Sequence, residues 1–186
     1  MEFAKERADA EARYPLLRQF RDKVNVAPTR VKNKGGMGEY VEADSPDNPI
    51  PGRPTITIGA NSRKRGVANT IIADSVHAAS EFSPDFKKLK RELVSNFSEG
   101  ELALARRRYE ADFQGKKSGS NFATFDNFLR TYWADGIVQH LLLPEGSEIE
   151  ARKRGSPKIV PVLNAIKHLF KTGTPKGKRI GDILGE

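Results

Sequence analysis

The chain contains no cysteine. Disulfides, thiolate zinc sites and thiol catalysis are therefore excluded, and nothing demands an oxidising compartment. No apolar run approaches the length of a membrane span. The opening residues, MEFAKERADAEARY, are charged rather than leader-like, so secretion by a standard route is not expected. Histidine is scarce: there are three, His77, His140 and His168, and no two stand one helical turn apart. The paired imidazoles that usually grip zinc on a helix are thus missing. There is no G-x-S-x-G, no Walker loop and no Rossmann fingerprint. Gly35, Gly36 and Gly38 make a glycine-rich stretch, but no predicted strand precedes it, so a turn or arm is expected before a phosphate cradle.

What remains is a polar chain of 186 residues, 37% of them hydrophobic, with a mean hydropathy of −0.59. That length suits one domain with extensions. The net charge of +8 is concentrated at one end. From Ala151 to Glu186 there are nine basic residues, Arg152, Lys153, Arg154, Lys158, Lys167, Lys171, Lys176, Lys178 and Arg179, against Asp182 and Glu186. A localised basic end calls for an acidic partner surface, either nucleic acid or another protein.

The pattern predicts a mainly α (α+β) fold of five to six helices with one or two short strands. Met1 to about Lys23 carries a loose apolar stripe, interrupted at Pro15. Val24 to Arg53 is rich in proline and glycine without periodicity and reads as an extended arm, with Asp44 and Asp47 in solvent. Thr55 to Ile58 alternates Thr and Ile as a half-buried strand does, and must find partners in the arm or in another chain. Ser62 opens a helix running to about Ser80, weakened at Gly66. Ser83-Pro84-Asp85 and the Ser98/Glu101 capping box open two more. Lys116 to Ser120 reads as a flexible loop, and a strongly apolar helix follows, with Trp133 as the expected core centre. Ser156-Pro157 opens the last helix, and Ile180, Ile183 and Leu184 form a small anchor in the tail. Three parts follow: residues 1–53, helix and arm; 54–144, helical core; 145–186, basic helix and tail.

Asp74 and His77 are the residues with the most chemistry to explain. They lie three apart on one side of their helix, in the frame of H-E-x-x-H, where two histidines hold zinc and the glutamate activates water. Here Ala73 replaces the first ligand and Asp74 the glutamate. An acid from a later helix, such as Asp135, is the only further ligand to suggest itself, and zinc needs three. The simpler expectation is a hydrogen bond from one side chain to the other that orients the ring. The triplets Arg63-Lys64-Arg65, Arg106-Arg107-Arg108 and Arg152-Lys153-Arg154 could form a nucleic-acid track. Their plainer reading is a solvated face paired with Glu99, Glu101 and Glu110.

The succession N-x-I-I-A-D-x-x-H, S-P-D-F-x-x-L-K, E-L-A-x-A-R-R-x-Y-E and T-F-D-N-F-L-R-x-x-x-x-D-G-I, over about 54–144, resembles a degenerate zincin module of tailed-phage and prophage proteins. These include large polyvalent and smaller virion-associated proteins. The resemblance implies a non-enzymatic virion structural protein of the capsid, connector, tail or interior. Its partners would be other virion proteins in a symmetric multi-copy assembly, with packaged DNA as a further partner. It implies location in the virion, and in the host cytoplasm during assembly. No catalytic residue, metal or cofactor is expected, and Asp74 and His77 are carried over as site remnants. Contacts with DNA or acidic partners are expected from Arg152, Lys153, Arg154, Lys171, Lys176, Lys178 and Arg179. The alternatives are a nucleic-acid-binding protein and a metal-dependent peptidase or lytic factor acting in entry.

Overall fold

The computed structural model describes residues 3–30, 36–112, 125–144 and 157–175. The Lys116–Ser120 loop, the Arg152–Arg154 triplet, the tail cations Lys176, Lys178 and Arg179, and the Ile180, Ile183 and Leu184 anchor lie outside the described residues. The fold is mainly helical with one small sheet, the expected class. Its elements are α1 (Ala4–Arg13), a 3-10 turn (Pro15–Phe20), β1 (Asn25–Pro28), β2 (Gly38–Val41), β3 (Thr55–Ile58), α2 (Ser62–Arg65) and α3 (Val67–Phe82). There follow α4 (Pro84–Ser95), α5 (Glu99–Asp112), α6 (Phe125–Leu142), a second 3-10 turn (Pro157–Ile159) and α7 (Val160–Thr172).

Two compact units emerge: Met1–Lys87 with Ile166–Glu186, and Lys88–Ala165. Neither boundary falls at the expected 53/54 or 144/145. The reason lies in the supposed arm. It contains β1 and β2, which flank β3 in the order β1-β3-β2. β1 runs parallel to β3, from Asn25 opposite Thr55 to Pro28 opposite Ile58. β2 runs antiparallel, with Gly38 opposite Ile58 and Val41 opposite Thr55. The partners that Thr55–Ile58 required therefore come from Val24–Arg53 itself.

As the central strand, β3 is buried at all four positions rather than half-buried. Its threonines tolerate this because their hydroxyls are bonded. Thr55 Oγ1 donates to Asn48 Oδ1 at 2.7 Å, and Thr57 Oγ1 to the Glu39 carbonyl at 3.1 Å. Asn48 also organises the segment between β2 and β3. Its amide nitrogen donates to the Ala43 and Arg53 carbonyls at 3.1 and 2.8 Å, and its oxygen accepts from Ile50 N at 3.2 Å. A segment without periodicity is thus organised around a buried side chain; Asp44 and Asp47 are exposed, as expected.

Pro15 breaks the first helix as predicted, opening the 3-10 turn. Gly66, at φ +92°, splits the next helix into a single turn, α2, and the longer α3. A left-handed φ is cheap for glycine and costly for other residues. Arg7 ties α1 to the chain entering β1, donating to the Val24 carbonyl at 2.8 Å, while buried Glu11 pairs with both Arg7 and Arg21. The core of the first unit centres on Tyr14, Phe86 and Phe170.

Both predicted caps form: Ser83 Oγ accepts from Phe86 N at 3.2 Å, and Ser98 Oγ from Glu101 N at 3.1 Å. The second unit has an aromatic cluster of Tyr109, Phe128 and Tyr132 around Ala105, with Phe97 and Phe125 packed against it. Trp133 is buried but is not the centre of one common core. With two units there are two cores, and Trp133 stands on the wall of a cleft in the second.

Candidate functional site

The chemistry-bearing face of α3 is a stripe of Thr70, Asp74, His77 and Glu81. Spacings of three and four residues stack these positions on one side of a helix. The stripe lies against β2, whose alternate residues Gly38 and Tyr40 meet it. A Cβ at Gly38 would come within 2.7 Å of Asp74 Oδ2 and 2.5 Å of Thr70 Cγ2, so only a bare backbone fits there. Two residues along, the Tyr40 ring stacks on the His77 imidazole, with centroids 6.0 Å apart and planes 25° from parallel. The Tyr40 hydroxyl donates to the Glu81 carboxylate. Burial is the main reason the Tyr40 pKa is raised, and the bond to Glu81 adds to it. Tyr40 is a hydrogen-bond donor here and not a base.

Asp74 retains some solvent access by area, yet it is hemmed in by Thr70 and the β2 backbone. Desolvation raises its pKa to about 7; Arg65 opposes this by attraction and Glu39 reinforces it by repulsion. The folded carboxyl is thus neutral up to about 7, while the unfolded one ionises near 3.8. Folding takes up a proton between those values, so Asp74's contribution to stability falls as pH rises through that window, and its penalty is complete above it. Three pKa units correspond to at most ~4 kcal/mol, and partial solvent contact reduces the expected figure to ~1–3 kcal/mol. Asp74→Asn is therefore expected to stabilise the fold at pH 8 and to be nearly neutral at pH 4. Urea unfolding at the two pH values checks this, and a variant destabilised at both would refute the assignment.

Asp74 and His77 each meet β2: the carboxyl lies against Gly38 and the imidazole against Tyr40. Ala73 offers no donor, and among the described residues no group of three His, Asp or Glu side chains is placed to hold a metal ion. Asp135, the suggested distant acid, pairs with Arg108 at 3.1 Å. His140 Nε2 lies 3.1 Å from Asn164 Oδ1, and the His168 carbonyl accepts from Thr172 Oγ1.

The basic groups divide. Arg63, Lys64 and Arg65 are all exposed on α2, and Lys171 is exposed in the last turn of α7. The other expected contact residues lie outside the described residues. In the α5 triplet, Arg106 lies over the Phe125 ring at 4.2 Å and Arg108 bonds to Asp135. Both of these partners come from α6, and the two arginines reach different ones because successive helical residues point in different directions.

Sequence reasoning missed Gly38, Tyr40 and Glu81. Glu81 was within reach, lying four residues beyond His77 on the same stripe. Gly38 and Tyr40 were not, because nothing in their segment signals a strand. No protein-family model matches the chain, and no match was found among curated proteins or solved structures.

Proposed function

We propose that the protein is a non-enzymatic structural component of a tailed-phage virion, acting by binding other virion proteins in a multi-copy assembly. The phage context rests on the resemblance of residues 54–144 to a degenerate zincin module. The single observation that supports a binding role over hydrolysis is that β2 lies against the Asp74–His77 face of α3. A hydrolytic zinc centre needs three protein ligands and an open position for water and substrate. Here Gly38 lies against the carboxyl, Tyr40 covers a face of the imidazole, and the polar stripe works internally to fasten β2 to α3.

The contacts then fall to exposed cations and to the chain after α7. Arg63, Lys64, Arg65 and Lys171 suit an acidic partner surface. Truncation must spare α7, because Phe170 is fully buried and Gln19 Nε2 donates to the Gly173 carbonyl at 3.2 Å. A chain ending at Pro175 is expected to keep the melting temperature of the full chain. In purified particles it is expected to fall by ~10-fold or more, the equivalent of ~1.4 kcal/mol of lost contact. Quantitative mass spectrometry of particles supplies the measurement, and equal incorporation of both chains would overturn the proposal. Stoichiometric zinc in the purified protein, lost on His77→Ala, would restore the hydrolase reading.

A further inference from the structure

The second unit contains a cleft that the proposed role does not use. It is open at its mouth, and it has the make-up of small-molecule sites, a largely apolar wall with a few placed polar groups. Its walls come from α4, α5, α6, the turn leading into α7 and the first turns of α7 itself. Phe97, Trp133, Ile159 and Leu163 make an apolar lining, and Glu101, Tyr132 and His140 supply polar groups.

We propose that this cleft binds a small organic cation, an amine carried on an apolar or aromatic body. Charge complementarity gives the first reason. Glu101 is only 4% exposed, and its Oε2 accepts from the Tyr132 hydroxyl at 3.3 Å, placing a buried carboxylate in the wall. The cation that also lines the cleft, Arg108, is half-exposed and pairs with Asp135. The formally charged lining residues are then two acids and one base, so the lining is negative. The aromatic rings add to this preference, since an ammonium is attracted to the face of a π system. Trp133 already shows that attraction, with Lys90 Nζ 4.6 Å from its ring centroid.

Gly136 gives the second reason, independent of charge. It lies in the interior of α6 and lines the cleft. A helix-interior glycine costs ~1 kcal/mol relative to alanine. The usual justifications are missing: its φ is not positive, and a Cβ placed there would meet nothing within 4 Å. Gly136 therefore does not serve packing. It leaves open the space that a side chain would fill, on the wall of the cleft.

Trp133 is the one tryptophan of the chain, so tryptophan emission, excited beyond the tyrosine absorption band, reports from the cleft wall. The test titrates the full-length protein at neutral pH with phenethylamine and with cyclohexylmethylamine, using 2-phenylethanol and 3-phenylpropionate as neutral and anionic controls. A saturable emission change is expected for the amines with a half-effect near ~1 mM, a realistic affinity for so few atoms. The controls are expected to bind at least ~10-fold more weakly, a difference of ~1.4 kcal/mol. Gly136→Leu fills the space with a strong helix former, so it should abolish the response at an unchanged or raised melting temperature. Glu101→Gln keeps the capping geometry and should bring the amine and the alcohol to equal affinity. If Gly136→Leu unfolds, Gly136→Ala makes the same comparison with one methyl group, and weakened amine binding is expected. The proposal is overturned by no saturable response to either amine, by binding that survives filling at residue 136, or by preference for the carboxylate.

Discussion

Phe170→Ala is expected to unfold the first unit or bring it close to unfolding. The ring is fully buried and meets Tyr14 and Phe86 edge-on, with centroids 6.0 and 5.8 Å away. Truncating such a ring removes its transfer energy and leaves a cavity, together ~3–5 kcal/mol. Edge-to-face pairs add ~0.5–1.5 kcal/mol each beyond buried area. Against a total stability of ~5–15 kcal/mol for a typical domain, that is most of the margin. Urea unfolding followed by far-ultraviolet circular dichroism measures it, with Phe170→Leu as the control that keeps most of the volume. A loss below ~1 kcal/mol would mean that α7 is not an integral part of this core, because surface positions cost about that or less.

Gly38→Val should produce the other large effect, by overpacking. A Cβ at residue 38 would lie 2.5 Å from Thr70 Cγ2, 2.7 Å from Asp74 Oδ2 and 2.8 Å from the Thr57 carbonyl oxygen. The two side chains can yield a little. The carbonyl cannot, because it belongs to β3, the partner strand of β2. The variant must push β2 off either α3 or β3, at a cost of ~2–4 kcal/mol, the upper end for overpacked sites. Gly52→Ala is the comparison: its φ is +96°, but a Cβ there meets nothing within 4 Å. Its cost is backbone strain alone, ~1 kcal/mol. Amide hydrogen exchange of the Gly38–Val41 strand is expected to lose protection in Gly38→Val and to keep it in Gly52→Ala. Equal protection in both would separate β2 from the α3 face and remove the main support for the proposed binding role.

Much of the helical framework was legible. The Ser83-Pro84 and Ser98/Glu101 signals marked real helix starts because capping is a local matter, settled by side chains within three residues of the backbone groups they bond. Pro15 and Gly66 marked real interruptions because both act through their own φ and ψ. The small sheet was harder to read. Asn25–Pro28 and Gly38–Val41 have little strand character and become strands by pairing with Thr55–Ile58, whose apolar residues face the helices. Such pairing joins residues about 15 to 30 apart, beyond the reach of any local pattern.

The candidate site divides in the same way. The sequence by itself put Asp74 and His77 on one helical face and removed the first zinc ligand by placing Ala73 there, because helical periodicity and donor chemistry are properties of residue type and spacing. It also confined most of the excess positive charge to residues after Ala151. Only the tertiary structure decided what that face does. Tyr40 and Gly38 reach it from a strand more than thirty residues earlier, and their packing desolvates Asp74 and covers the imidazole. Burial and neighbouring dipoles set the state of a carboxyl, and both depend on which distant segment arrives. The cleft beside Trp133 was equally hidden, since open space over Gly136 is defined by four separate stretches of chain and written in none of them.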